Sequence, residues 1–262
     1  VDRYLVPTSA SINGRVVSSA SGDPVGGVSV NADDGSGFGR STVTDADGYF
    51  NIEGLPYGTY RVGSPAQGVW GPLEEQVWVR QEISGVVLSE AEPVAGPLLI
   101  TLQPAGFISG TVTGPDGQPL SGIYIWADIE PWAPNSYSFG RTDVNGQYVL
   151  GGLPSGNYRV HTMSNPGYAD EYYLDSPSWS GSTLVPVTAG SETSDIDFTL
   201  EPGGTISGRV LDLDGNPIYG LSVLVEGGGM GMIVGANETY SLWGLPYGTY
   251  TLTCPPRLWN PA

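Results

Sequence analysis

One pair of short motifs occurs three times along the chain. Ile12-Asn13-Gly14-Arg15-Val16, Ile108-Ser109-Gly110-Thr111-Val112 and Ile206-Ser207-Gly208-Arg209-Val210 each open a unit. Gly54-Leu55-Pro56-Tyr57-Gly58-Thr59-Tyr60, Gly152-Leu153-Pro154-Ser155-Gly156-Asn157-Tyr158 and Gly244-Leu245-Pro246-Tyr247-Gly248-Thr249-Tyr250 follow further along. The period, roughly 100 residues, is too long for one turn of a solenoid and suits a self-contained β-sandwich. The 40 glycines and 22 prolines of this 262-residue chain would suggest disorder if they were scattered. They instead separate alternating apolar runs, as turns separate strands, and 15 tyrosines and 7 tryptophans supply core material.

The three units share a grammar. The Ile-x-Gly-x-Val strand, with alternate residues inward, runs into a proline turn at Pro24, Pro119 or Pro217. Three residues later a glycine (Gly27, Gly122, Gly220) permits the backbone of a re-entry into the sheet, and a second strand follows. The turns Asp45-Ala46-Asp47-Gly48 and Asp143-Val144-Asn145-Gly146 lead into a further strand, and Tyr60, Tyr158 and Tyr250 suit a tyrosine corner. Leu98-Leu99-Ile100-Thr101-Leu102 and Ile196-Asp197-Phe198-Thr199-Leu200 close the first two units. No segment has helical periodicity beyond one turn. The expected fold is all-β: tandem Greek-key sandwiches, Ig-like or transthyretin-like, over 8–104, 105–202 and 203–262, the last one incomplete. Residues 1–7 read as a donor strand, or as the closing strand of a preceding domain.

Gly14-Arg15-Val16, Asp45-Ala46-Asp47-Gly48-Tyr49-Phe50 and the Gly-Leu-Pro-x-Gly-x-Tyr segment, with their counterparts, resemble the carboxypeptidase regulatory-like domain family, kin of Cna-B-like and transthyretin-like sandwiches. The resemblance implies an exported seven-stranded sandwich of surface proteins, adhesin stalks and secreted enzymes, and no catalytic residues. Cna-B relatives often carry lysine–asparagine isopeptide bonds. This chain has no lysine, so its nine basic residues, all arginine, cannot make one. Any polymer is then held non-covalently or through Cys254.

The ends differ from the repeats. Tyr4 and Val6 stand before Ile12 at the offsets that Ile100 and Leu102 occupy before Ile108, and Phe198 and Leu200 before Ile206. Tyr4-Leu5-Val6 therefore reads as a closing strand with no unit of its own, whereas few residues follow Tyr250. Two explanations stand open: a segment of a longer tandem array, or a strand of one copy completing unit three of the next by strand addition. The gap after Tyr250 is wide enough that more than one strand is wanting.

A formal charge of −18 disfavours nucleic acid and anionic membranes, and no stretch is long enough to span a bilayer. Asp45, Asp47, Asp143 and Asn145 are candidate calcium ligands, or else Asx turns needing no cofactor. His161, the single histidine, reads as a surface or edge position and offers no triad. Among the aromatics, Trp132, Tyr137 and Trp179 are candidates for stacking on glycans, and Asn237-Glu238-Thr239 fits a glycosylation acceptor. The expectation is a non-enzymatic structural protein, extracellular or on the cell surface. It would be a semi-rigid rod acting as filament subunit or stalk, its partners copies of itself or flanking modules. The alternative is a carbohydrate-binding or spacer module of a secreted hydrolase or adhesin.

Overall fold

In each unit the Ile-x-Gly-x-Val strand is the hub from which the sandwich is built. The computed structural model describes residues 10–64, 77–133, 137–163, 167–174, 176, 179–216, 218, 221–225, 231–233 and 239–254. Unit one contains β1 (Ala10–Ser18), β2 (Ser29–Asp33), β3 (Gly39–Val43), β4 (Tyr49–Leu55), β5 (Gly58–Ser64), β6 (Trp78–Val79), β7 (Gln81–Leu88) and β8 (Val94–Pro104). One sheet has the order β4-β1-β8-β6 and the other β3-β2-β5-β7. β5 returns to pair with β2 after the chain has visited the opposite sheet in β4, which is the Greek-key crossing. β1 alternates strictly between buried and half-buried, so Ile12 and Val16 enter the core between the sheets with Val30, Ile52, Tyr60, Val62, Ile100 and Leu102.

β1 has two different neighbours. β4 lies antiparallel to it, with Gly14 opposite Phe50, and β8 lies parallel, with Gly14 opposite Leu98 and Val16 opposite Ile100. A Cβ at Gly14 would collide with the Leu98 carbonyl and the Phe50 ring, so the glycine of the motif is a spacing requirement.

Unit two repeats the plan with β9 (Gly106–Thr113), β10 (Tyr124–Glu130), β11 (Tyr137–Arg141), β12 (Gln147–Leu153), β13 (Gly156–Thr162), β14 (Val185–Val187), β15 (Glu192–Thr193) and β16 (Phe198–Thr199). β9 pairs antiparallel with β12 and parallel with β15 and β16, against a second sheet β11-β10-β13-β14. Backbone bonds from Ile196 N to the Ser109 carbonyl (3.0 Å) and from Leu200 N to the Thr113 carbonyl (2.8 Å) extend the closing strand. A Cβ at Gly110 would strike the Ile196 carbonyl, and the Tyr148 hydroxyl donates to that same oxygen (2.5 Å). Thr44 and Thr142 play one role in both units. Each buried hydroxyl donates to the residue after the turn proline, Val25 (2.8 Å) or Leu120 (2.6 Å), and accepts from the N–H of Val28 (3.1 Å) or Ile123 (3.0 Å).

Unit three comprises β17 (Gly204–Arg209), β18 (Ser222–Val225), β19 (Gly231–Ile233), β20 (Thr239–Leu245) and β21 (Leu252–Thr253). Its sheets are β17-β20 and β19-β18-β21, so among the described residues β17 has an antiparallel neighbour and lacks a parallel one. Its core is Val223, Leu242 and Leu245 with half-buried Ile206, Val210 and Tyr250 packed beside them.

All three tyrosine corners form. The hydroxyls of Tyr60 and Tyr158 donate to the carbonyls of Pro56 and Pro154 (2.8 Å each), and Tyr250 donates to Pro246 in the same way. Burial raises the phenol pKa of Tyr158 far above the usual value near 10, and does the same to Tyr148, where the Asp197 charge adds to it. The fold thus favours the neutral phenols. This contribution is complete below pH 10 and is lost as pH rises through the raised folded values. Phenolate absorbance during an alkaline titration is expected to show Tyr148 and Tyr158 ionising only as the circular dichroism of the sheets collapses. Ionisation of Tyr148 and Tyr158 with the sheets intact would contradict it.

Candidate functional sites at the junctions and on the second unit

The links between units are paired backbone. At the first junction β6 lies antiparallel to the end of β8, with Trp78 opposite Pro104 and Val79 opposite Gln103, and Ala105 N donates to the Val77 carbonyl (2.8 Å). At the second, Tyr168 bridges Pro202, Ala169 N donates to the Glu201 carbonyl (2.8 Å) and Gly203 N donates to the Gly167 carbonyl (3.0 Å). The two pairings correspond residue for residue, Val77, Trp78 and Val79 matching Gly167, Tyr168 and Ala169. An aromatic from the long segment after the Tyr-Arg-Val strand faces the linker proline, flanked by backbone bonds. Trp78 and Tyr168 also pack on the cores of units one and two. The second strap reaches further, because Asp170 N donates to the Gly244 carbonyl in unit three (2.9 Å).

The edge of β17 is the second feature. Ile12, Val16, Ile108 and Val112 are fully buried, whereas Ile206 and Val210 at the same register are half-buried. Tyr240 lies opposite Gly208 as Tyr148 lies opposite Gly110. Of the candidate assembly strand, Tyr4, Leu5 and Val6 lie outside the described residues, as does the glycosylation candidate Asn237.

The four candidate calcium ligands sit in two equivalent turns. The Asp45 carboxylate accepts from the backbone N–H of Asp47 (3.0 Å) and Tyr49 (2.8 Å), and Asp143 from those of Asn145 (2.8 Å) and Gln147 (2.9 Å). Gly48 and Gly146 take positive φ (78° and 74°), where an added Cβ would crowd the Val16 or Val112 carbonyl. One oxygen of each aspartate is thus committed to the loop's own backbone. Among the described residues no three His, Cys, Asp or Glu side chains are grouped to hold a metal.

The glycan candidates gather on unit two. Tyr137 stands on β11 beside Trp126 of β10 (centroids 6.2 Å apart, planes 20°), and Trp126 stacks on Phe139 (4.6 Å, 23°). Trp132, in the β10–β11 loop, is 66% exposed. Trp179 lies across the sheet from these, with the Arg159 guanidinium 5.1 Å above its ring and Tyr172 edge-on at 6.0 Å.

The histidine corrects the sequence expectation of a surface or edge position. His161 is buried, with Nε2 3.0 Å from the Asp128 carboxylate and its ring 4.9 Å from that of Tyr172. β10 and β13 run antiparallel with Asp128 opposite Arg159 and Trp126 opposite His161, which brings the carboxylate diagonally onto the imidazole. Tyr172 and Trp179, from the stretch between β13 and β14, cover this end of the sheet. Sequence reasoning also missed Trp78 and Tyr168 as straps.

Two sandwiches and a third unit whose first strand lacks a parallel neighbour among the described residues, joined by strapped linkers, define a tandem all-β modular protein. The chain belongs to the carboxypeptidase regulatory-like domain family, whose model matches residues 11–81 and 107–201. It is 25% identical over 206 residues to an inverse autotransporter adhesin of Escherichia coli. The match covers 72% of this chain and 8% of the adhesin, so the chain spans a small part of that relative. Among solved structures it matches a minor pilin of Streptococcus agalactiae (13% identity, 74% of this chain, 96% of the pilin, TM-score 0.32). It also matches a shaft pilin of Lactobacillus rhamnosus (11%, 75%, 99%, TM-score 0.31). Among the described residues no helix is long and apolar enough to cross a membrane.

The turn geometry separates the two roles of the acidic pairs. Asp143→Ala is expected to cost about 1–2 kcal/mol in urea unfolding, because two backbone N–H groups lose their acceptor. Asp143→Asn, which keeps an acceptor oxygen, should be nearly neutral, and a chelator should leave the melting temperature of either form unchanged. A chelator-induced drop in the parent chain that Asp143→Asn abolishes would establish the calcium role instead.

Proposed function

We propose that this chain is a stretch of the semi-rigid shaft of a filament or adhesin stalk at the cell surface, a structural part without catalysis. The observation that carries the proposal is the repeated strap. A linker whose N–H and C=O groups are bonded to the preceding unit cannot swivel without breaking them, and each bond contributes about 0.5–1.5 kcal/mol. Inter-domain motion is the default for short polar links, so straps at both junctions are what a part that sets reach and bears load requires. Family membership and the likeness to an adhesin support the same reading, and the charge of −18 suits a solvated exterior without contributing to the fold.

In this proposal the edge of β17 that has no parallel neighbour among the described residues is closed by an added strand, parallel as β8 is to β1 and β16 to β9. Tyr4-Leu5-Val6 carries the alternation that such a strand needs, so head-to-tail addition between copies is the assembly proposed. Insertion of two apolar side chains beside Ile206 and Val210 would contribute ~1.5–3 kcal/mol each.

Two measurements test the reading. Ala169→Pro removes the N–H that bonds to Glu201, and Tyr168→Ala removes the ring facing Pro202. Small-angle scattering of either variant is expected to show a broadened distance distribution with the circular dichroism of the sheets retained. An unchanged distribution would remove the stiffness argument. For the assembly, light scattering at rising concentration should show self-association of the full chain that deletion of residues 1–7 abolishes. A strict monomer in both forms would rule out strand addition between copies.

A further inference from the structure

Units one and two share one backbone register yet present different outer faces on their second sheets. Asn31 of β2 lies opposite Ser41 and Gly63; the equivalent Trp126 of β10 lies opposite Phe139 and His161. Asp33 lies opposite Gly39, and the equivalent Asp128 lies opposite Tyr137. Unit one builds a complete core with asparagine, serine and glycine at positions where unit two carries three aromatic rings and an imidazole. The sandwich therefore does not require those rings, and their presence on the solvent side of one unit calls for a separate cause.

The polar groups beside the rings are held in place. Arg159 Nε lies 3.2 Å from a Glu130 oxygen, while its Nη1 donates to the Trp179 carbonyl and the Ser182 hydroxyl (2.6 Å each). Asp128 is fixed by His161 on one oxygen. Each carboxylate keeps acceptor capacity beyond its bond to Arg159 or His161, at positions set before any ligand arrives. Half-buried rings next to pre-oriented carboxylates match the chemistry of a sugar, which presents an apolar C–H face and a rim of hydroxyl donors. The two carboxylates on this face and the charge of −18 on the chain oppose an anionic ligand.

We propose that the outer face of the β11–β10–β13 sheet binds a neutral oligosaccharide, its pyranose faces against Trp126, Tyr137 and the exposed Trp132 of the β10–β11 loop and its hydroxyls directed to Asp128 and Glu130. The site goes beyond the shaft reading and does not depend on it, since it needs unit two alone to be folded. It would give the shaft a lateral adhesive face at unit two.

The test titrates the full chain with short cello-, manno-, xylo- and chito-oligosaccharides, with an acidic polygalacturonate oligomer and with a polyproline peptide, followed by calorimetry and tryptophan fluorescence. At least one neutral class is expected to bind. Trp132→Ala and Tyr137→Ala should weaken it about tenfold or more, a loss of about 1.4 kcal/mol per factor of ten. Trp132 is exposed, so its replacement should leave the melting temperature in place, and Asn31→Ala on the matching face of unit one should leave affinity unchanged. Absence of binding by every neutral class would overturn the proposal. So would equal affinity in Trp132→Ala and Tyr137→Ala, or binding of the acidic oligomer or the peptide alone.

Discussion

The parallel pairing of the closing strand with the first strand is the interaction on which the rest of each unit depends. β1 and β9 each have one antiparallel neighbour from their own Greek key and one parallel neighbour that arrives last in the unit. Only when that last strand is in place are both edges of the hub strand bonded and its inward side chains fully enclosed. The central glycine is the visible trace of this arrangement, because the closing carbonyl passes where a side chain would otherwise project. Unit three has the glycine at position 208 and a tyrosine opposite it at 240. Its inward Ile206 and Val210 are left half-buried where the other units bury theirs completely.

The same strand carries the chain from one unit to the next, which couples folding of a unit to the stiffness of the array. β8 ends at Pro104 and β9 begins at Gly106, so the closing strand of unit one is within one residue of the hub of unit two. A strap on that residue fixes the direction in which the next hub sets out. Proline in the linker removes a donor and fixes φ. The remaining N–H and C=O groups are satisfied by the strap, as partly enclosed backbone requires.

How much of this was legible in the sequence depended on whether the signal was local. Strands bounded by Gly-Leu-Pro-x-Gly-x-Tyr and by Asp-x-Asp/Asn-Gly were readable, because turn chemistry and period-two burial lie within a few residues of each other. The tyrosine corners were readable for the same reason, donor and acceptor being four residues apart. β3 was not: Gly39–Val43 is exposed almost throughout, an edge strand with no apolar alternation to betray it. β7 and β14, in the long segments after the Tyr-Arg-Val strands, were not read as strands either. The straps are ladders of one or two residues between segments about 25–35 positions apart. His161 was misplaced because what buries it, Asp128 and Tyr172, comes from a neighbouring strand and a covering segment that only the register brings together.

Unit two differs from its neighbours in what it adds around a common scaffold, and the additions are physically linked. The segment after β13 does three things in succession: it straps the linker through Tyr168 and Ala169, seats Tyr172 on His161, and brings Trp179 under Arg159. Through His161 and Arg159 it holds the carboxylates Asp128 and Glu130 on the outer sheet. In unit one the matching segment ends its strap on Arg80, which reaches Asn31 (3.2 Å), while Arg61 pairs with Asp33 (3.2 Å). The exposed Arg61–Asp33 pair contributes little to stability, as surface ion pairs do, whereas the less exposed Arg159–Glu130 pair is anchored at three further acceptor contacts. The stiffening segment and the fixed polar face of unit two are therefore one structure. A substitution that loosens the strap at Tyr168 acts on the same covering segment that positions Asp128 and Glu130, which ties the mechanics of the junction to the chemistry of the face.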